Sequence, residues 1–168
     1  MKNIIVAGGA GFIGSHLCEN LIEIGNKVVC LDNLSTGSRN NITGLEKNAN
    51  FVFINVDTRN VGLDNMARVG PVSEIYDLAS PASVDYVCQR PIETATANSI
   101  GLYNLLELAL VNQARLLFAS SSESYGNPLQ HPQKESYWGN VNPVGVRSGY
   151  DEGKRFGEAL CMAYQREK

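Results

Sequence analysis

Three observations in the sequence predict an α/β fold with a doubly wound parallel sheet of about five strands. First, short apolar runs at 4–7, 27–31, 51–54, 74–79 and 115–119 alternate with stretches of helical spacing. Second, the first run leads directly into Gly8-Gly9-Ala10-Gly11-Phe12-Ile13-Gly14, a glycine turn that opens a helix. Third, the second run ends in an acid, Asp32, 18 residues after Gly14. A strand, a glycine turn and a helix in that order present free N–H groups and the positive end of a helix dipole to an anion such as a pyrophosphate. An acid at the next strand end accepts hydrogen bonds from a ribose hydroxyl. The set predicts a Rossmann-type site for NAD, because a carboxylate at Asp32 repels the 2′-phosphate of NADP. The alternative is a tight βα turn that holds no ligand, with an Asp that caps something local.

The elements follow in order. Ile4-Ile5-Val6-Ala7 is the first strand, and Ile13, Leu17, Leu21 and Ile24 give the first helix its spacing. Lys27 to Leu31 is the second strand. Residues 33–50 are rich in Asn, Ser, Gly and Thr and form a loop with room for a helical turn. Phe51 to Ile54 is the third strand, ending at Asn55-Val56-Asp57. Residues 58–72 are ambiguous, with a short helix expected over 63–69 before Gly70-Pro71 stops it. Glu74 to Ala79 is the fourth strand, halted by Ser80-Pro81, and residues 82–90 are expected as a loop. A long helix is expected over 92–112, with Pro91 at its start and Ile100, Tyr103, Leu106 and Leu110 on one side. Arg115 to Ala119 is the fifth strand and passes into Ser120-Ser121-Ser122. Residues 126–148 form a long loop with Pro128, Pro132, Pro143 and the only Trp, and a last helix runs over 150–167.

The 168 residues suit one domain with a sizeable core. Apolar residues at 43% and charged residues at 18% mark an ordinary globular composition. The net charge of −3, with no basic cluster, speaks against nucleic acid or an anionic membrane as partner. An anionic ligand must then be held by backbone amides and a few side chains. Cys18, Cys30, Cys88 and Cys161 are far apart, with no C-x-x-C pair, so reduced thiols and a cytoplasmic location are expected and no metal site is. The apolar stretch 4–13 is broken by glycines and too short to span a bilayer.

In a parallel sheet of this kind, ligands bind beyond the carboxyl ends of the strands. Asp32, Asp57, Ala79-Ser80 and Ser120-Ser121-Ser122 all stand at such ends, so they converge on one crevice. Tyr150 and Lys154 lie four apart at the start of the last helix and share a face. A nearby ammonium stabilises a phenolate, which suits the tyrosine to act as a base. Serine, tyrosine and lysine beside a nicotinamide form an alcohol-oxidising site. The plain alternative is a helix with an ordinary Tyr and a solvated Lys.

The residues Gly8 to Gly14, Ser121, Tyr150 and Lys154 resemble the extended short-chain dehydrogenase/reductases that act on nucleotide sugars. Within that family, the second half of the chain is similar to the UDP-glucuronate decarboxylases (UDP-xylose synthases). The similar segments are 78–83, 119–128, His131-Pro132-Gln133, 137–143 and Tyr150-Asp151-Glu152-Gly153-Lys154-Arg155. For the cofactor, the resemblance implies that Gly8, Gly11, Phe12, Ile13 and Gly14 hold the pyrophosphate of NAD. It implies Asp32, Asn33, Ser35, Thr36 and Gly37 around the adenosine ribose, Asp57 and Thr58 at the adenine, and Leu78, Ala79, Ser80 and Ala119 along the cofactor. Tyr150 is the implied base, and Lys154 its electrostatic partner, which also holds the nicotinamide ribose. Ser121 stands where the family has a catalytic Thr or Ser. Glu123 is the implied acid near the substrate carboxylate, with a backbone contact in a turn as its simpler role. Ser122, Asn104 and Arg147 are implied substrate residues.

The implied reaction oxidises C4 of UDP-glucuronate, releases CO2 from the resulting β-keto acid and reduces C4 again, giving UDP-xylose. A C4 epimerase or a 4,6-dehydratase is the alternative within the class. A non-catalytic NAD-binding fragment that pairs with an intact subunit is the alternative outside it. The resemblance further implies that residues 1–168 are the NAD-binding part, that the substrate domain lies outside them, and that the helices at 92–112 and 150–167 build a homodimer. It also marks departures: Thr96 and Ala97 replace the family's Lys-Thr pair, and Ser121 replaces its Thr. A parallel sheet ending at its fifth strand is expected to leave an open edge and an uncovered helix face.

Overall fold

The computed structural model describes residues 1–62, 66 and 69–168. The helix expected over 63–69 therefore falls largely outside the described residues. Strands β1 (Asn3–Ala7), β2 (Lys27–Asp32), β3 (Phe51–Asn55), β4 (Glu74–Asp77) and β5 (Arg115–Phe118) form one parallel sheet in the order β3-β2-β1-β4-β5. The helices are α1 (Phe12–Glu23), α2 (Val84–Gln89), α3 (Pro91–Thr96), α4 (Leu102–Asn112) and α5 (Ser148–Glu167). The strand order reverses at β1, where the chain leaves for β2 on one side and later returns as β4 on the other. That switch point opens a crevice at the carboxyl ends of the strands.

The central strand reads as a continuous apolar run because it is covered on both faces. Ile4 and Val6 pack with Cys18, Leu21 and Ile22 of α1, while Ile5 and Ala7 pack with Leu105, Leu108 and Ala109 of α4. Burying side chains of this size contributes about 2 kcal/mol each. The buried face of α1 is Gly14, Ser15, Cys18, Leu21 and Ile22. Ile13 and Ile24, which belong to the same apolar spacing in the sequence, are exposed. On α4 the buried face is Leu102, Leu105, Leu106, Leu108 and Ala109, so of the expected stripe only Leu106 is buried while Ile100, Tyr103 and Leu110 stay partly exposed.

Two expectations are corrected. Residues 84–89, expected within a loop, form helix α2, held to α3 by a hydrogen bond from the Tyr86 hydroxyl to Glu93 at 2.9 Å. The single helix expected over 92–112 is instead α3, a π-helical segment at Ala97–Gly101, and α4. The cause is a polar run inside the helix. Thr94, Thr96, Asn98 and Ser99 each donate to the carbonyl four residues back, at 3.0, 2.8, 3.0 and 2.7 Å. Such back-bonding competes with the helix ladder and bends it. The loop 33–50 contains 3₁₀ turns at Arg39–Asn41 and Leu45–Lys47, as its composition allows.

Helix α5 carries Gly149, Gly153 and Gly157 at four-residue spacing, and they permit a close approach. A Cβ at Gly149 would lie 2.9 Å from the Pro91 carbonyl oxygen, one at Gly153 2.9 Å from Asn98 Cβ, and one at Gly157 2.4 Å from the Phe118 ring. Tyr150 and Lys154 each follow one of these glycines, so the packing that seats the helix also carries both side chains to the crevice. The loop 126–148 is tied back by Arg155, whose Nη1 donates to the carbonyls of Trp138 at 2.6 Å and Ser124 at 3.1 Å. The sheet ends in an open edge at β5, where Leu117 is half exposed.

Candidate functional site

A cavity of about 470 Å³ lies at the switch point. Its floor begins at the glycine turn. Gly8 has a φ of +76°, and a Cβ there would meet the Leu78 carbonyl oxygen at 2.5 Å. A Cβ on Gly14 would lie 2.1 Å from the Gly8 carbonyl oxygen, so only glycine fits where the first turn of α1 closes on the strand. Helix α1 starts with no side-chain cap and no acidic residue in its first turn. Its first N–H groups therefore need a partner from outside the helix, and Gly11, Phe12, Ile13 and Gly14 line the cavity.

Asp32 ends β2 and is buried. Its Oδ2 accepts from the Ala10 N–H at 2.9 Å and its Oδ1 from the Leu34 N–H at 2.8 Å. The carboxylate thus clamps the glycine turn and still faces the cavity, so local capping and exposure to a ligand coexist. Asp57 caps the start of the 3₁₀ turn Thr58–Asn60 that follows β3. Arg59 grips it from Nε at 2.8 Å and Nη2 at 2.6 Å, and Asn33 donates to it at 2.8 Å. Those bonds hold the Asp57 carboxyl down to about 2. Arg59 Nη1 also reaches the Thr96 hydroxyl at 3.0 Å.

At the other end of the cavity, Lys154 is 3% exposed. Its Nζ donates to the Ala119 carbonyl at 2.7 Å and lies 4.7 Å from the Phe118 ring centroid and 5.6 Å from that of Tyr150. Burial lowers the Lys154 ammonium to about 8, against the pull of Asp77. Ser80 Oγ is buried without a hydrogen-bond partner on the cavity wall.

Every residue expected at the cofactor lines this one cavity: Gly8, Gly11 to Gly14 by way of Phe12 and Ile13, Asp32, Asn33, Ser35, Thr36, Gly37, Asp57, Thr58, Leu78, Ala79, Ser80, Ala119, Tyr150 and Lys154. The residues expected at the substrate do not. Ser120 lines the wall rather than Ser121 or Ser122, and its hydroxyl bonds Glu158. The Ser121 Oγ accepts from the Glu123 N–H at 3.2 Å and caps a 3₁₀ turn at Ser122–Tyr125. Glu123 Oε2 lies 2.7 Å from Arg147 Nη1, which brings two of the expected substrate residues into one ion pair. Beside them, burial pushes the Asp151 carboxyl up. Asn104 donates to the carbonyls of Thr58 at 3.0 Å and Arg59 at 2.9 Å, steadying the turn after β3. Arg59 and Glu93, which the sequence did not mark, also stand on the wall, as does Ala97 of the departing Thr96-Ala97 pair. For Arg59 the signal was present in its spacing two residues after Asp57. For Glu93 it lay in the fold alone.

Among the described residues, no cluster of metal-ligating side chains occurs and no helix is long and apolar enough to cross a membrane. The unpartnered Ser80 hydroxyl, the uncapped start of α1 and the glycine cradle suit a dinucleotide with its pyrophosphate on the helix.

Known proteins share the sequence pattern and the fold. The chain is 48% identical over 163 residues to UDP-glucuronic acid decarboxylase 1 of Arabidopsis thaliana, a match covering 97% of this chain and 36% of that relative. It superimposes on UDP-glucose 4-epimerase of Thermotoga maritima, solved with UDP-glucose, with a TM-score of 0.83 and 31% identity, over 98% of this chain and 52% of the other. The UDP-glucose 4-epimerase of Brucella ovis in complex with NAD gives a TM-score of 0.80 and 27% identity, over 99% and 49%. The chain therefore spans between about a third and about a half of the length of these proteins. The family described as GDP-mannose 4,6 dehydratase matches residues 5–168. With the glycine turn, the strand order and the Tyr150/Lys154 helix in place over that whole range, the chain belongs to the GDP-mannose 4,6 dehydratase family.

Proposed function

We propose that this chain is the NAD-binding and Tyr/Lys-bearing part of a UDP-glucuronate decarboxylase, with residues 1–168 as the cofactor domain and the substrate domain outside them. The observation that carries the reading is the single cavity shared by Gly8–Gly14, Asp32, Asp57, Tyr150 and Lys154. Identity of 48% to a UDP-glucuronic acid decarboxylase supports the choice of sugar. NAD bound in the cavity would supply a reversible hydride acceptor for C4 of the sugar, so that the decarboxylation is redox-neutral overall.

The residues of the chain do the rest. The first turn of α1 binds the pyrophosphate through backbone N–H groups. Asp32 accepts from the adenosine ribose and excludes a 2′-phosphate. The buried Lys154 ammonium holds the nicotinamide ribose and favours the Tyr150 phenolate, which takes the proton of the C4 hydroxyl. Ser121, Ser122, Glu123, Asn104 and Arg147 serve the sugar side. There the Glu123–Arg147 pair offers a cation to the substrate carboxylate and an acid for the proton returned to C5. A homodimer through α3 to α5 is part of the reading, supported by the partly exposed Ile100, Tyr103, Phe156 and Met162. The free cysteines fit a reducing cytoplasm.

Incubating the full-length protein, substrate domain included, with UDP-glucuronate and NAD+ and resolving the nucleotide sugars by mass spectrometry and NMR tests this. UDP-xylose is expected. A C4 epimer or a 4-keto-6-deoxy sugar overturns the assignment. A second reading, an NAD-binding module without turnover, is favoured by the position of Ser121, Glu123 and Arg147 off the cavity wall. It predicts stabilisation by NAD+ and no sugar product from any UDP-sugar.

A further inference from the structure

The face of the sheet that packs against α4 and α5 is apolar, yet it carries a carboxylate. Asp77 follows Ile75 by two residues on β4 and shares its face. It is 6% exposed. The Ala79 N–H, at 3.1 Å from Oδ1, is the hydrogen bond it receives. A carboxylate in such a place is costly unless a charge answers it.

The answering charge is next door. Asp77 pairs in register with Phe118 of β5, and its backbone carbonyl accepts from the Ala119 N–H at 3.0 Å. Lys154 Nζ stands over that same Phe118 ring and donates to the carbonyl of that same Ala119. Neighbouring strands run about 4.8 Å apart, so Asp77 and the Phe118 ring that the ammonium covers are neighbours on one face, beneath α5. The other groups around them are accounted for. Tyr150 presents its ring to the ammonium. Glu158, one turn along α5, is bonded by Ser120. Cys161, further along α5, is a thiol that burial, and then Asp77, push up.

We propose that Asp77 is a positioning residue for Lys154: its carboxylate is the interior counter-charge that keeps the ammonium protonated and held between the Ala119 carbonyl and the cavity. The inference deepens the function proposed above, because it concerns the lysine assigned to the nicotinamide ribose. The two groups act on each other in the expected directions. Burial lowers Lys154 and Asp77 raises it. Burial raises Asp77, and the Ala79 N–H and Lys154 hold it down. An interior lysine without this carboxylate would shed its proton at a lower pH, and the cavity would lose its cation.

The test is an NMR titration of the 168-residue chain labelled with ¹³C at the lysine Cε carbons, with the Lys154 signal identified by its loss in Lys154→Arg. Asp77→Asn keeps an acceptor for the Ala79 N–H and removes the charge. The Lys154 midpoint is expected to fall from about 8 by about one unit or more. An unmoved or raised midpoint overturns the proposal. The reciprocal measurement covers an unfolded Asp77→Asn: in Lys154→Met the Asp77 carboxyl carbon should titrate at higher pH than in the wild type, and an unchanged value overturns the proposal equally. A purely structural Asp77 would change the melting temperature and leave both midpoints in place. Both titrations are read without NAD+, so failure of the wild type to bind NAD+ would defeat the cofactor reading and leave this coupling standing on its own result.

Discussion

Asp57 is held in its ionised form by Arg59 and Asn33, with its carboxyl down at about 2 against an ordinary 3.8. A carboxyl depressed on folding contributes stability above its unfolded value, and that contribution disappears as the pH falls through the folded one. The loss belongs between about pH 4 and pH 2. Because the pair is partly open to solvent, its worth after screening is about 1 kcal/mol. Urea unfolding at pH 7 should show Asp57→Asn less stable by that amount, with the difference from wild type gone at pH 2. Lys154 has the opposite sense. Its folded value of about 8 lies below the ordinary 10.5, so the unfolded chain binds the proton better between those values, and this group adds stability as the pH rises through that window. Lys154→Met should therefore gain least over wild type above pH 10.5, measured by the same unfolding curves. Gly14→Ala puts a methyl 2.1 Å from a backbone oxygen. It should cost about 3 kcal/mol and remove NAD+ binding, read by calorimetry.

At the scale of elements, the π segment is the clearest case of structure that local spacing did not reveal. Apolar spacing over 92–112 describes one helix, and the polar run Thr94 to Ser99 inside it gives only a hint of a bend. The segment also makes a distant close approach that spacing does not show: a Cβ at Gly101 would lie 2.4 Å from Thr58 Oγ1, on the turn after β3. Gly101→Ala should destabilise the chain by about 2 kcal/mol, and adding Thr58→Ala should recover most of that loss. A strictly additive double mutant would show that the two sites do not press on each other.

The contrast with the glycine turn is instructive. Gly8 to Gly14 and Asp32 were legible because strand, turn and helix chemistry is local and each glycine answers a steric need within the βα unit. Tyr150 and Lys154 were legible because four-residue spacing puts them on one face. Helix α2 was not, since it is only six residues long, buries Val87 alone and is held by the Tyr86–Glu93 bond to a later element. Asp77 read as one more residue of a strand, because its partner lies on a helix 77 residues further on.

For the whole molecule, the sheet order puts the termini of β1, β2, β4 and β5 around one crevice, and α5 closes it from the side. The same layout leaves Ile100, Tyr103, Phe156 and Met162 partly exposed on the helical layer. Sedimentation equilibrium should find twice the chain mass, and Ile100→Glu with Phe156→Glu should give a monomer that still binds NAD+. A wild-type monomer at micromolar concentration would contradict the dimer. The claim on which the account turns is that the cavity at the switch point is an NAD site. Titrating the chain with NAD+ and NADP+ while following thermal unfolding tests it most directly. At a hundred times its dissociation constant NAD+ should add about 2.7 kcal/mol, raising the melting temperature by about 5–10 °C, with NADP+ less effective because of Asp32. No rise with NAD+, or a larger rise with NADP+, would contradict the account.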